Sequence, residues 1–244
     1  MLNISEYAQT ITESGVAIVP QVFADERIGT LIRAIEEAGE NSTPDQGVRR
    51  RVAVYAIRNL VEVVPSIRDV VRSPEMRALI EPVLGNRSFM VRGLLFDKTP
   101  EANWKVAYHQ DLTIAVRERA EMEGFGRWSI KAGVVHVQPP IDILVRMLII
   151  RLHLDKCNLE NAALRVIPGS HAHGRLSEAE IEHWKNSNPE MVCNMNPGGV
   201  VAMRPLLLHA SSEASTPLHR RVIHLEFSAD KLPGPLDWYE KQSI

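Results

Sequence analysis

The chain has 244 residues, 45% of them hydrophobic, and a net charge of −2. That length suits one domain with a sizeable core, and the near-balanced charge excludes an extended nucleic-acid-binding face. The only dense basic cluster, Arg49-Arg50-Arg51, reads as a solvated loop edge or as a grip for an anionic substrate tail. Cys157 and Cys193 make no disulfide framework and no C-x-x-C pair, which fits a reducing compartment. Met1 to Gln9 lacks the pattern of a secretory signal. Ile141 to Leu154 is too short, and too charged at Arg146 and Arg151, to span a bilayer. A cytoplasmic protein acting on a small molecule is expected, without a nucleic-acid or membrane partner; oligomeric state is not legible.

Taken in order, Ser5 to Glu13 reads as a short helix and Gly15 to Val19 as a strand stopped by Pro20. Asp25 is placed to cap a second helix, in which Ile28, Leu31, Ile32 and Ile35 recur at helical spacing up to Gly39. Residues 40–51 read as a polar loop and Val52 to Ile57 as a strand. Ile67 to Val71 and Pro74 to Leu84 are helical, the latter capped at Ser73 and closed by Gly85.

From Ser88 the character changes. Ser88 to Phe96, Tyr108 to Val116, Ile130 to Val137, Ile143 to Leu154, Ala163 to Ile167, Gly199 to Met203, Leu206 to Ala210 and Val222 to Ser228 are strand-like, with only Ser177 to Lys185 clearly helical. Eight short strands between turn clusters predict a mainly β jelly roll or barrel, with the N-terminal helices covering one sheet. One domain is expected over 1–244, helix-rich over 1–87 and jelly-roll over 88–230. Within Ile143 to Leu154 the even positions are expected to pack inside the sandwich. The odd positions carry Arg151 and His153 either into a polar pocket or out to solvent.

In Tyr108-His109-Gln110-Asp111, strand alternation puts His109 and Asp111 on one face and Gln110 on the other. With a second imidazole they would make the two-His, one-carboxylate face of non-haem Fe(II) oxygenases. A second H-x-D copy exists at His153 and Asp155. His183 falls in a helix, and His171 and His173 in a Gly/Ser turn. His209 instead ends the apolar run Leu206-Leu207-Leu208 and precedes Ala210-Ser211-Ser212, small residues that leave room for a ligand. In a double-stranded β-helix the first pair lies on an early strand and the last His on a late one. The interval from Asp111 to His209 holds the strands between them, whereas that from Asp155 is tight. This favours His109, Asp111 and His209.

With those residues in place the sequence resembles the phytanoyl-CoA dioxygenase family of Fe(II)/2-oxoglutarate oxygenases. Gly15 to Phe23 followed by an amphipathic helix resembles the family's opening, and Tyr108-His109-Gln110-Asp111 its W-H-Q-D motif, with tyrosine for tryptophan. Leu154-Asp155 and then Glu160 to His171 resemble its L-D … E-N-G-x-L-x-V-I-P-G-S-H signature, with Ala162 where glycine is typical. Gly198-Gly199, His209 and Arg220 to Leu225 resemble its distal segment.

The resemblance implies a double-stranded β-helix (jelly roll, cupin-like) fold. It implies His109, Asp111 and His209 as iron ligands, Arg220 for the far carboxylate of 2-oxoglutarate, and Ser211 as an assisting hydroxyl. A guanidinium fork meets a carboxylate in two parallel hydrogen bonds, and alternation sends Arg221 to the other face. Fe(II), 2-oxoglutarate and O2 would be the cofactors, succinate and CO2 the by-products. Related halogenases replace the carboxylate ligand with a small residue, so Asp111 favours hydroxylation or a related oxidation such as desaturation. The segment Arg117 to Lys131, with Arg127 and Trp128, reads as a lid, a pocket wall or an ordinary loop. Arg127, Lys131, Arg146 and Arg151 are candidates for holding an anionic substrate, and no acyl-CoA preference follows from the family name. The alternatives are a non-catalytic jelly-roll protein that binds 2-oxoglutarate and metal, motivated by Tyr108 and Ala162, and a cupin-like hydrolase or isomerase.

Overall fold

The computed structural model describes residues 3–51 and 54–244. Helix α1 (Ile4–Ser14) starts at Asn3, whose side chain accepts from the Glu6 N–H, and stops at Gly15 with φ 75°. A Cβ at Gly15 would meet the His171 ring at 2.4 Å, so the P-G-S-H turn closes over this helix end. Strand β1 (Val16–Val19) leads to α2 (Asp25–Glu40). Its N-cap is Ala24; Asp25, expected as the cap, is the first helical residue, where its charge meets the positive end of the helix dipole. The loop expected over 40–51 holds a short strand, β2 (Val48–Arg50), paired with β3 (Val54–Ile57). Val52 and Ala53, the start of the strand expected there, lie outside the described residues. Helices α3 (Leu60–Val63), α4 (Ile67–Val71) and α5 (Pro74–Leu84) follow, the last capped by the Ser73 hydroxyl as expected.

The second part contains β4 (Phe89–Lys98), β5 (Val106–His109), β6 (Ile114–Val116), β7 (Gly126–Lys131) and β8 (Val134–Gln138). Next come α6 (Ile141–Val145), β9 (Leu148–His153), β10 (Leu164–Val166) and α7 (Glu178–Ser187). The last strands are β11 (Met191–Cys193), β12 (Val200–Met203), β13 (His209–Ser211), β14 (Arg220–Ser228) and β15 (Gln242–Ser243). Three expected strands are divided. Tyr108 to Val116 breaks into β5 and β6, a turn at Ala132-Gly133 falls within Ile130 to Val137, and Ile143 to Leu154 opens as α6.

The large antiparallel sheet runs β1-β12-β9-β14-β4-β3-β2, with β15 added beside β4; a smaller sheet runs β11-β10-β13-β5, and a third β6-β8-β7. The architecture is the mainly β jelly roll expected. The helices pack on the outer face of the large sheet: Ile11, Ile28, Leu31 and Ile80 share a core with Leu148, Ile150, Leu152, Ile223 and Leu225. Burial of each such side chain contributes roughly 1.5–3 kcal/mol. The even positions of β9 therefore face the helices rather than the inside of the sandwich, which corrects the expectation. The inner face carries Ile149 with Val166, Val201 and Leu207 between the two sheets, and then Arg151 and His153.

Gly198 and Gly199 link β11 to β12 beneath the start of α2. A Cβ at Gly198 would lie 2.1 Å from the Phe23 carbonyl oxygen, and its φ is 81°. Glu240, near the C-terminus, is 8% exposed and its Oε2 has no hydrogen-bond partner among the described residues. Burial, and then the charge of Glu62, pushes its carboxyl up from 4.5 to about 7. The folded protein thus holds a proton that the unfolded chain releases, so stability declines as pH rises from about 4.5 to 7. Glu240→Gln should raise the melting temperature at pH 8, by up to about 3 kcal/mol in stability, with the gain vanishing below pH 4.5. Thermal melts across that range check this. Among the described residues no helix is long and apolar enough to cross a membrane.

Candidate metal and co-substrate site

His109 ends β5 and His209 begins β13, and the two residues are register partners across the small sheet. Asp111 follows two residues after His109, its N–H donating to the Pro205 carbonyl at 2.9 Å. One ligand atom from each of the three lies within 4.8 Å of the others. Each histidine places Nδ1 2.9 Å from a carbonyl two residues back, Ala107 and Leu207 respectively. Donating there leaves both Nε2 lone pairs free to bind a metal.

The Nε2 atoms sit 3.8 and 3.6 Å from the Asp111 oxygens, too far for hydrogen bonds. Oδ2 of Asp111 is buried and has no partner among the described residues. Burial alone would raise the Asp111 carboxyl, but His209, His224 and His109 hold it down at about 2. Burial lowers His209 to about 4 against the pull of Asp111. Near neutral pH Asp111 is therefore a carboxylate beside a neutral His209 imidazole. An orphaned carboxylate oxygen between two free imidazole nitrogens fits a divalent cation with open positions.

The other two residues of the tetrad face away. Tyr108 donates to Glu190, under the Arg165 guanidinium, and packs with Ile181 and Trp184 of α7. Gln110 is 6% exposed: its Nε2 donates to Gly174 O and Leu206 O, both at 2.7 Å, and its Oε1 accepts from the Leu176 N–H at 2.8 Å. It ties the 174–176 loop to the turn just before His209, a role that sequence reading left unassigned. Gln110→Leu strands three buried backbone groups and should cost roughly 2–4 kcal/mol, read by chemical denaturation.

Across the cavity, the inner face of the large sheet carries a polar column. Arg220 is opposite Lys98, His224 opposite Leu94 and Arg151, and Glu226 opposite Arg92. Arg220 is 3% exposed and its Nε and Nη1 lack partners among the described residues. Lys98, 1% exposed, donates from Nζ to Ser211 Oγ at 3.0 Å and to the Ser212 carbonyl. Burial, and then the Arg220 charge, lowers Lys98 to about 7 and Arg151 to about 10. Arg151 contacts His224 at 3.0 Å while its Nε stays unpartnered. This end of the cavity is short of negative charge.

Arg221 turns to the opposite face, where it forks onto Asp155 through two 2.9 Å bonds and reaches Glu36. The second H-x-D copy is thus split. Asp155 is committed to Arg221, and His153 is fully buried with both ring nitrogens unpartnered among the described residues.

His109, Asp111, His209, Ser211, Arg220 and Arg151 line one cavity of about 260 Å³. A larger, open groove of about 550 Å³ at Cys157 and Met195 lies apart from them. Of the other proposed substrate residues, Arg127, Trp128 and Arg146 do not join. Arg127 is exposed with φ 50°, and Trp128 packs in the cluster of the third sheet under Arg119. Arg146 pairs with Asp230 and Asp142. Lys131, at the end of the same segment, does line the cavity, as do Arg58, Arg92, Trp104, His224 and Glu226, none of which sequence reading singled out. The signal for Arg92 and Glu226 was a charge interrupting an apolar strand; Arg58 gave none.

The family profile for phytanoyl-CoA dioxygenase (PhyH) matches residues 11–222. No curated protein matches by sequence. Similar solved structures include EctD from S. alaskensis with 2-oxoglutarate and 5-hydroxyectoine, at 15% identity and TM-score 0.72, covering 92% of this chain and 75% of that one. AviO1 from Streptomyces viridochromogenes Tue57 is 19% identical with TM-score 0.69, covering 96% and 98%. The non-heme alpha ketoglutarate dependent carbocyclase SnoK from nogalamycin biosynthesis is 16% identical with TM-score 0.68, covering 91% and 82%. These likenesses show the shared fold.

Proposed function

The chain belongs to the phytanoyl-CoA dioxygenase family, and on that footing we propose an Fe(II)/2-oxoglutarate-dependent dioxygenase that hydroxylates a small molecule and releases succinate and CO2. The observation that carries this reading is a two-His, one-carboxylate triad sharing a cavity with the buried Arg220 guanidinium, whose Nε and Nη1 have no partner among the described residues. His109 Nε2, His209 Nε2 and Asp111 would hold the iron. Arg220 would fork onto the far carboxylate of 2-oxoglutarate. When bound, iron and 2-oxoglutarate supply oxidative decarboxylation coupled to O2 activation.

The chain's own residues orient and protect. Lys98 donates to Ser211 Oγ, which occupies an acceptor site on that oxygen and leaves the hydroxyl proton free to point to the co-substrate carboxylate. Leu94, Phe96, Val106 and Leu164 wall the cavity and limit water around the reacting carbon. The departures that motivate a non-catalytic reading lie elsewhere: Tyr108 faces α7, and Ala162 sits in a turn at φ 68°. That left-handed position explains why glycine is typical there and costs about 1 kcal/mol for alanine. Two buried free cysteines fit a cytoplasmic setting.

The test is iron- and 2-oxoglutarate-dependent succinate formation, with a product heavier by one oxygen atom. Chloride incorporation, or a product with two hydrogens fewer, would redirect the reaction type. Failure of the purified protein to bind either iron or 2-oxoglutarate, with His109→Ala silent, would overturn the reading.

A further inference from the structure

The polar column on the inner face of β4 and β14 has two charged ends. Lys98 and Arg220 form one, and six residues along the pair, roughly 20 Å away, Arg92 and Glu226 form the other. His109, Asp111 and His209 line the same cavity as both ends, with His224 and Arg151 midway along the column.

At the far end Arg92 is paired with Glu226 at 3.1 Å, and Glu226 also lies 3.4 Å from His224. Beside this pair Arg58 and Lys131 line the same cavity, both half-buried. Among the described residues neither side chain makes a hydrogen bond or ion pair. Glu240 lines a small void behind them with Arg92; even with it ionised, three cations face two carboxylates. Burial, and then repulsion from Arg92, lowers both Arg58 and Lys131 from their ordinary values. Trp104, held edge-on by Tyr55 at 5.9 Å, supplies an aromatic wall beside Arg58. Cations left partly desolvated and unpaired in a cavity call for an anion brought by a ligand.

We propose that Arg58 and Lys131 form the substrate's anion site. The molecule oxidised carries a carboxylate or phosphate group that these two cations hold, and the carbon to be oxidised lies toward His109, Asp111 and His209. The proposal rests on the oxygenase reading for the direction of the reaction, whereas the anion site itself is a property of the cavity.

The test uses three probes of one shape: phenylacetate, phenyl phosphate and the neutral phenylacetamide. Each is titrated calorimetrically into the protein holding Fe(II) and 2-oxoglutarate without O2. The anionic probes should bind at least about tenfold tighter than the amide, the tighter of the two naming the group. Arg58→Met, and separately Lys131→Gln, should each erase about tenfold of that affinity while shifting the 2-oxoglutarate Kd less than about twofold. Circular dichroism confirms that each variant folds, and either one alone suffices for the comparison. Equal binding of amide and acids, or variants that bind the acids like the parent, overturns the proposal. So does an equal loss of 2-oxoglutarate affinity, since the cations would then serve the co-substrate. If the parent binds no 2-oxoglutarate, the oxygenase reading falls, and the same titrations on the metal-free protein still decide the anion site.

Discussion

Arg220→Leu should weaken 2-oxoglutarate binding by about a hundredfold while leaving the ligand-free protein as stable as before or more so. Two charge-assisted hydrogen bonds, each worth roughly 1.5–3 kcal/mol, are lost from the bound state, and imperfect additivity brings the sum to about 3 kcal/mol. In the free protein the guanidinium is 3% exposed, two of its nitrogens have no partner among the described residues, and its charge opposes those of Lys98 and Arg151. Removing a buried, uncompensated cation relieves that repulsion. The signature is thus split: an unchanged or raised melting temperature without ligand, and a lost increment with 2-oxoglutarate. Arg220→Lys keeps the charge but not the fork and should fall between, about tenfold weaker than the parent. A leucine variant that 2-oxoglutarate still stabilises like the parent would place the co-substrate elsewhere, with Arg151 the next candidate.

Asp111→Ala should reduce Fe(II) affinity by more than about a hundredfold, since losing even an outer partner of a ligand costs 10–100-fold. Turnover should be undetectable. Asp111→Asn is the sharper variant, because it keeps volume and removes charge. The carboxylate would bring the charge that draws a cation between the two imidazoles, and it is ionised near neutral pH. The isosteric amide should therefore lose the metal without losing the fold. Anaerobic titration with Fe(II) and melts with and without metal report the two effects separately. Stabilisation by metal persisting in Asp111→Asn would mean that the imidazoles alone suffice.

The triad was legible because strand alternation and chain order are strong constraints. His109 and Asp111 share a face by spacing, and a late strand had to supply the third ligand. Arg220 and Arg221 were separable on the same ground, and the structure sends them to opposite faces. The orientation of β9 was not legible. Both faces of the large sheet are covered, by helices outside and the small sheet inside, so Leu148 to His153 reads as apolar on either side. Period-two alternation then says which residues go together but not which group faces in.

The far end of the cavity was hidden for another reason. Arg58 lies just past β3 of the large sheet and Lys131 ends a hairpin strand of a different sheet. Only the pairing of β3 with β4 and the packing of the third sheet bring them together. Arg127 and Trp128 were the more conspicuous residues in the sequence. Their hairpin strand sends one to solvent and the other into the cluster of the third sheet, whereas Lys131 reaches the cavity.

His109 and His209 face each other across β5 and β13 from positions a hundred residues apart. Closing a loop of that length is entropically unfavourable until the intervening strands are in place, so this pairing belongs late in the folding sequence. The strands on either side must already have found their partners, and Gln110 must have clamped the turn before His209. A metal held by these residues would not template the early collapse of such a chain, because His109 and His209 meet only when β5 and β13 pair. On the proposed reading, acquisition of the metal is instead a proofreading signal: a polypeptide that holds a metal between His109, Asp111 and His209 has two distant strands correctly joined, and one that misfolds upstream never assembles that face.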